Sequence, residues 1–231
     1  MKLPLKTAAK IDWGKPIMVI IFGLLVCIHA AEVTHYTANL KELTALGVLG
    51  VVHRFFLLCF YALLVAVYWT RSPAKLGSRS AVARLAAVVA TFLPFSLPFV
   101  STPSDQMRVV LLGDCLAMAG LGFTVYALQA LGRNISIIPQ VRSLVESGPY
   151  RLVRHPLYVG ELITFFGVVL ARFGIGAIVV FLVLAALQVY RASQEEEILE
   201  TMFPQYRKYA LRTPRFVPGW APVNRRVANS K

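Results

Sequence analysis

The chain has 231 residues, of which 57% are hydrophobic, and a mean hydropathy of +0.65. It is too apolar for an ordinary soluble domain of this length. In so apolar a chain, the net charge of +13 indicates a membrane protein with a positively charged cytoplasmic side. No nucleic-acid partner is expected, because no basic stripe with interleaved aromatic residues is present.

The three cysteines all fall in apolar segments, and no C-x-x-C pair or histidine at ligand spacing accompanies them. Neither a disulfide framework nor a metal site is expected.

The apolar segments predict an all-α, polytopic membrane bundle of about six spans. A helix that crosses the bilayer needs about 20 mostly apolar residues. The candidate segments are 16–33, 46–69, 81–100, 108–131, 157–172 and 174–191. No A-x-A cleavage pattern follows the first segment, so we expect it to be retained. The last two segments are separated by a very short link and read as a C-terminal helical hairpin.

Prolines and glycines predict the local geometry of two of these spans. Pro94 and Pro98 predict a kink in the third span, because proline breaks the helical hydrogen-bond ladder. Gly113, Gly120 and Gly122 in the fourth span predict close helix packing, either within the molecule or between two copies.

The second span contains two ionisable residues, His53 and Arg54. Charge inside a membrane is costly and usually faces the interior of the bundle. We expect these residues to be structural, paired with Glu32 or Asp114, rather than catalytic.

The positive charges predict the orientation of the bundle. Most of the 24 lysines and arginines lie before the first span, between the second and third, between the fourth and fifth, and from residue 191 onward. The alternate connections carry few. By the positive-inside rule, both termini are cytoplasmic. The two long polar regions, 132–156 and 192–231, then lie on the cytoplasmic side.

The segment GPYRLVRHPLYVGEL, residues 148–162, precedes a long apolar run. Gly148-Pro149 is a turn signal, and Pro156 suits the first turn of a helix with His155 just outside it. The free amide groups and positive dipole of such a helix start could bind a carboxylate or a phosphate. Gly160 would leave room for a ligand. An ordinary interfacial anchor fits the same residues.

Three consecutive glutamates, Glu195, Glu196 and Glu197, follow the last span in a chain with only 11 acidic residues. They are either a solvated helix face or a site for a cationic ligand. Because neighbours on a helix point about 100° apart, Glu195 and Glu196 are expected to do different work.

Arg212 and Arg215 could bind an anionic substrate or lipid headgroups. The absence of a G-x-G-x-x-G motif and of a P-loop predicts that helices and loops would hold any cofactor.

Two stretches together, LGRNISIIPQVRSLVESGPYRLVRHPLYVGEL (131–162) and EEEILETMFPQYRKYALRTPRFVPG (195–219), resemble the isoprenylcysteine carboxyl methyltransferase family of integral-membrane methyltransferases, which is related to the phospholipid N-methyltransferases. The resemblance implies S-adenosyl-L-methionine as cofactor, bound in a cytosolic pocket built from 132–158 and 192–219. It divides the chain into a four-span region, 1–131, and a catalytic region, 132–231.

Carried over by motif, the resemblance implies a set of site residues. The residues expected to bind the cofactor are His155, Pro156, Tyr158, Gly160, Glu195, Glu196, Tyr206 and Tyr209. Arg154 and Arg212 are expected to meet an acidic group of the substrate. The chain departs from the family pattern at Pro204, where a glycine is usual after the phenylalanine, which affects the expected local bend.

The expected activity is methyl transfer to a lipophilic or small acceptor, and the membrane lipids are expected as a further partner. A carboxylate acceptor is favoured because it is already ionised at neutral pH, whereas an amine or a thiol needs a base. The alternatives are a phospholipid amine N-methyltransferase, a sterol-reductase-like NADPH-dependent oxidoreductase, and a non-catalytic membrane scaffold.

Overall fold

A computed structural model describes residues 14–38, 45–71, 76–77, 80–135, 137, 140–141, 143–172 and 174–219 of the chain. Its helices are α1 (Gly14–Ala38), α2 (Ala45–Thr70), α3 (Ala81–Phe92), α4 (Leu97–Val100), α5 (Met107–Leu131), α6 (Pro156–Ala171), α7 (Ile175–Met202) and α8 (Tyr206–Arg212). Ten cations used to predict the orientation lie outside these residues: Lys2, Lys6, Lys10, Lys41, Lys75, Arg79, Arg142, Arg225, Arg226 and Lys231.

The protein is all-helical, as expected, apart from one short antiparallel pair, β1 (Leu76–Gly77) with β2 (Gln140–Val141). Within the described residues, five helical segments are long and apolar enough to cross a membrane: Gly14–Ala38, Gly47–Thr70, Ala81–Val100, Met107–Asn134 and Ile175–Met202. The prediction of about six spans corresponds to these five and to α6. That helix has 16 residues, or about 24 Å, and is short for a bilayer core of about 30 Å.

The kink expected in the third span is confirmed. α3 ends at Phe92, a 3₁₀ turn covers Leu93–Ser96, and α4 continues the segment. Pro94 and Pro98 each stand near the start of a new turn, where the missing amide hydrogen is not needed.

α5 and α6 pack with their backbones in direct contact. A methyl group added to Gly120 would lie 2.4 Å from the backbone nitrogen of Thr164, and one added to Gly113 would lie 2.6 Å from the carbonyl oxygen of Gly167. Close packing through Gly113 and Gly120 is therefore confirmed, and this contact is within one chain. At Gly122 an added methyl group would meet no described atom within 4 Å, so this glycine makes no close contact within the described chain, and packing between two copies there stays a prediction.

The ionisable residues inside the bundle pair as expected. Arg54 on α2 lies 3.4 Å from Glu32 on α1, and His53 lies 3.9 Å from Asp114 on α5. Glu32 also lies 3.0 Å from His29 on its own helix. These contacts tie three helices together on the side of the bundle where α5 begins.

The other end of the bundle gathers the polar segments. A buried cluster that includes Phe22, Tyr68 and Leu128 joins α1, α2 and the last turns of α5. Arg133 follows α5 and donates from Nε to the carbonyl of Thr70 at 2.6 Å, so α2 and α5 finish side by side. The start of α6 and the end of α7 meet at this same end.

Candidate functional site

A cleft opens where α5 ends, α6 begins and α7 ends. Its volume is about 760 Å³, counting the part open to solvent. The residues that line it are Leu131, Asn134, Ser143, Leu144, Val145, Tyr150, Arg154, His155, Leu157, Tyr158, Glu195, Leu199, Tyr206 and Tyr209. The lining thus combines the two polar regions that the sequence singles out.

Local backbone geometry sets the wall at the start of α6. Gly148 has φ +57°, a conformation that suits glycine, and opens the 3₁₀ turn Gly148–Arg151. The amides of Arg154 and His155 then donate to the carbonyls of Pro214 and Arg215 at 2.8 and 3.2 Å. This pairing fixes the approach to α6, which begins without a side-chain cap and leaves its first amide groups without helical partners.

Glu196 is the centre of a buried ionic cluster behind the cleft. Its Oε1 lies 3.0 Å from Nε2 of His155 and 3.1 Å from Nη1 of Arg154. Arg215 donates to both of its oxygens, with Nε at 3.0 Å. These hydrogen bonds raise the pKa of Arg215 above its ordinary value. The carboxylate therefore cross-links α7, the start of α6 and the segment after α8.

Glu195 faces the cleft itself. It accepts a hydrogen bond from the Tyr158 hydroxyl, and its Oε2 lies 3.8 Å from Nδ1 of His155. The His155 and Tyr158 rings stack with their centroids 5.5 Å apart and their planes 1° apart. The carboxylate keeps 23% of its side-chain surface exposed, so it can meet a ligand. The expectation that Glu195 and Glu196 differ in environment is confirmed.

Tyr206 and Tyr209 close the cleft from α8. Their ring centroids are 6.0 Å apart in an edge-to-face arrangement. The Tyr209 hydroxyl donates to the carbonyl of Tyr150 at 2.6 Å. Burial raises the pKa of both phenols well above the ordinary value, so they remain protonated at physiological pH. They offer aromatic surface and neutral hydroxyl groups.

Arg154 is the cation of the cleft lining. Nη1 donates to the Tyr206 hydroxyl at 3.2 Å and also meets Glu196. Nε is buried and has no hydrogen-bond partner among the described residues. Only 9% of the Arg154 side chain is exposed, so its position is fixed by protein contacts.

Four predicted residues are absent from the lining. Pro156 is buried as the first residue of α6, and Glu196 lies behind the wall. The space beside Gly160 is occupied by α5: a methyl group there would lie 2.3 Å from Oγ1 of Thr124, so the expected room for a ligand is a helix contact instead. Arg212 has 65% of its side chain exposed and forms an ion pair with Glu146.

The structure also adds residues that motif spacing did not single out. Asn134 and Ser143 line the cleft and are joined by a 2.7 Å hydrogen bond from Ser143 Oγ to Asn134 Oδ1. Tyr150 and Leu199 also line it. All four lie within the regions 132–158 and 192–219, but their residue types carry no chemical signature alone. In the described part of the chain, no group of three or more His, Cys, Asp or Glu is arranged to hold a metal ion.

Comparison with known proteins supports the resemblance seen in the sequence. Residues 108–206 match the model of the phospholipid methyltransferase family. The cobalt-zinc-cadmium resistance protein CzcN of Cupriavidus metallidurans is 36% identical over 138 residues, which cover 57% of this chain and 61% of that protein. The nickel-cobalt-cadmium resistance protein NccN of Alcaligenes xylosoxydans xylosoxydans is 36% identical over 111 residues, covering 45% and 46%. The match thus spans about half the length of these relatives.

Proposed function

We propose that this chain, whose residues 108–206 match the phospholipid methyltransferase family, is an integral-membrane methyltransferase that uses S-adenosyl-L-methionine. The observation that carries the proposal is the wall of the cleft formed by Glu195, Tyr158, Tyr206 and Tyr209. A partly exposed carboxylate beside aromatic rings suits a cationic small molecule.

The residues present fit such a cofactor. Bound S-adenosyl-L-methionine supplies a methyl group on a sulfonium cation, which the Glu195 carboxylate and neighbouring aromatic rings would stabilise. Arg154 and the first amides of α6 offer donors for its carboxylate. The buried Nε of Arg154 is a side-chain donor with no hydrogen-bond partner among the described residues. Positioning of the methyl group against the acceptor would then supply most of the rate enhancement.

Two acceptor classes are each favoured by a different observation. A lipophilic carboxylate, as in the isoprenylcysteine enzymes, is supported by the surroundings of His155, whose two ring nitrogens both face carboxylates at 3.0 and 3.8 Å. His155 is therefore poorly placed to take a proton from an acceptor, and an acceptor already ionised avoids that need. A phospholipid amine is supported by the family match. The names of the two relatives state metal resistance and no reaction, so they do not select an acceptor.

We also propose that both termini and the cleft are cytoplasmic, which is where a soluble cofactor is available. The described cations at the cleft end support this orientation: Arg71, Arg133, Arg151, Arg154, Arg207, Lys208, Arg212 and Arg215. In the division proposed for the chain, residues 132–231 form the catalytic region. Residues 1–131 form the membrane region, whose last helix, α5, supports α6.

The first experiment is calorimetric titration of the detergent-purified protein with S-adenosyl-L-methionine, and separately with NADPH. We expect S-adenosyl-L-methionine alone to bind, and Glu195→Gln to weaken its binding about tenfold, since a charged hydrogen-bonding group contributes about 1.4 kcal/mol or more. Glu197→Gln is the matched control, because Glu197 is exposed on the same helix. Binding of NADPH alone would instead support the reductase, and binding of neither would contradict the proposal.

The second experiment identifies the acceptor class. Membranes containing the protein are incubated with S-adenosyl-L-methionine labelled in the methyl group, and the lipid extract is treated with alkali. A methyl ester releases labelled methanol under alkali, whereas an N-methyl group does not. Volatile label supports a carboxylate acceptor. Label that stays with phospholipid supports an amine acceptor and contradicts the carboxylate.

A further inference from the structure

Arg191 is a buried cation on α7, four residues before Glu195, and it does not line the cleft. The residue is 5% exposed. Nη1 donates to Oε1 of Gln188 at 3.0 Å, and Nη2 donates to the carbonyl of Ile137 at 3.0 Å. The Gln188 amide in turn donates to Glu161 on α6. Burying a guanidinium costs free energy unless its N–H groups find acceptors.

The guanidinium also meets the wall of the cleft from behind. Its central carbon lies 4.8 Å from the centroid of the Tyr158 ring, a cation–π contact. The hydroxyl of that same ring donates to Glu195, which faces the cleft. A chain of contacts therefore runs from Arg191 through Tyr158 to Glu195.

The contacts of Arg191 join its own helix, α7, to two other segments around the cleft. They reach α6 through the Tyr158 ring and the segment that follows α5 through Ile137. A tyrosine ring can rotate about its side-chain bonds unless its neighbours constrain the ring and its hydroxyl. Here His155 stacks on the ring at 5.5 Å while Arg191 lies over it.

We propose that Arg191 is a positioning residue for the proposed cofactor wall: it holds the Tyr158 ring so that its hydroxyl donates to Glu195, and so fixes the carboxylate that meets the cationic ligand. This inference rests on the proposed function, because it assigns the ligand of Glu195. An arginine is needed because one planar guanidinium can donate to two acceptors and stack on a ring together, which an ammonium group cannot do.

A double-mutant cycle tests the inference. The Kd for S-adenosyl-L-methionine is measured by calorimetry for the wild type, Arg191→Met, Tyr158→Phe and the double variant. We expect each single change to weaken binding about tenfold, and the double variant to be within about threefold of the weaker single one, because both changes break the same chain of contacts. Independent losses that multiply to about a hundredfold would overturn the inference.

Arg172→Met is the control for a merely structural arginine. Arg172 lies at the far end of the hairpin and donates to the side chain and backbone of Ser101. We expect this variant to have a lower Tm and an unchanged Kd. A Kd for Arg191→Met equal to that of the wild type would overturn the inference while leaving the proposed function intact. Absence of binding by the wild type would overturn both.

A second variant keeps the test decisive if Arg191→Met does not fold. Arg191→Lys retains the charge but cannot make the three contacts together, and it enters the same cycle with Tyr158→Phe. We expect it to weaken binding several-fold with a smaller loss in Tm than Arg191→Met. Full retention of affinity by the lysine variant would show that charge alone is needed and would contradict the positioning role.

Discussion

Glu195 and Glu196 are neighbours in the chain but serve different surfaces. On α7 their side chains diverge by about 100°, so one reaches the cleft and the other reaches the segment after α8. Glu196 is enclosed by Arg154, His155 and Arg215, whereas Glu195 has a hydroxyl partner and solvent. The same chemical group is therefore enclosed by protein side chains at one position and partly exposed at the next.

This difference predicts which substitution costs stability. Glu196→Ala leaves Arg154 and His155 buried without their carboxylate, and we expect a loss of about 3 kcal/mol in the free energy of unfolding. Glu197→Ala, an exposed change on the same helix, should alter it by no more than about 0.5 kcal/mol. Thermal unfolding in detergent measures both. A normal Tm for Glu196→Ala combined with lost ligand binding would place Glu196 on the ligand instead.

Arg212 shows where residue type alone does not determine a role. The resemblance implies that it meets the acidic group of a substrate, and that remains a prediction. In the structure it pairs with Glu146, and its central carbon lies 5.9 Å from the Tyr209 ring. An exposed pair of this kind contributes at most about 1 kcal/mol, so Glu146 could exchange for a ligand at little cost.

At the scale of helices, the contact between α5 and α6 sets the position of the cleft. Small residues recur along both helices at the contact: Gly113, Ala117, Gly120 and Thr124 on α5, with Gly160, Thr164, Gly167 and Ala171 on α6. In a membrane, where apolar side chains gain nothing by leaving lipid, such close backbone packing is a main source of helix association. It brings the last turn of α5 beside the first turn of α6.

Two glycines on α5 provide a matched test of this contact. Gly120→Ala places a methyl group 2.4 Å from a backbone nitrogen of α6, so the helices must separate, and we expect a loss of about 1–3 kcal/mol in stability. Gly122→Ala meets nothing within 4 Å among the described residues and should gain up to about 1 kcal/mol from helix propensity. Thermal unfolding compares the two variants. Equal Tm values would contradict the close packing of α5 on α6.

Each pattern in the sequence predicts only the structural property that it depends on. Hydropathy reports lipid-facing length, so it predicted the long helices and the hairpin, and proline chemistry predicted the break between α3 and α4. Glycine marks a possible close approach without identifying the partner, so the contact of Gly160 with α5 was mistaken for room for a ligand. The sequence located both halves of the cleft. It could not identify Asn134 or Ser143, because those side chains reach the cleft through loop conformation rather than helical periodicity.

At the scale of the whole molecule, the positive charges and the cleft lie at the same end of the bundle. The cleft, the ends of α2 and α5, and the start of α6 lie together, and most of the described cations are found there. The opposite end has Arg108 and Arg172, with Arg172 bound to Ser101 between α4 and α5. The paired charges of α1, α2 and α5 lie toward that opposite end, separate from the cleft.

This distribution predicts the membrane orientation, which reporter fusions can measure in a bacterial host. Alkaline phosphatase is active only outside the cytoplasm. Green fluorescent protein fluoresces in the cytoplasm but not after export through the Sec pathway. We expect a fusion after Asp105, between α4 and α5, to give phosphatase activity, because few cations flank that connection. Fusions after Arg151 or Lys231 should fluoresce and give no phosphatase activity. The reverse pattern would place the cleft away from the cytosolic supply of S-adenosyl-L-methionine, and would contradict the proposed reaction as well as the orientation.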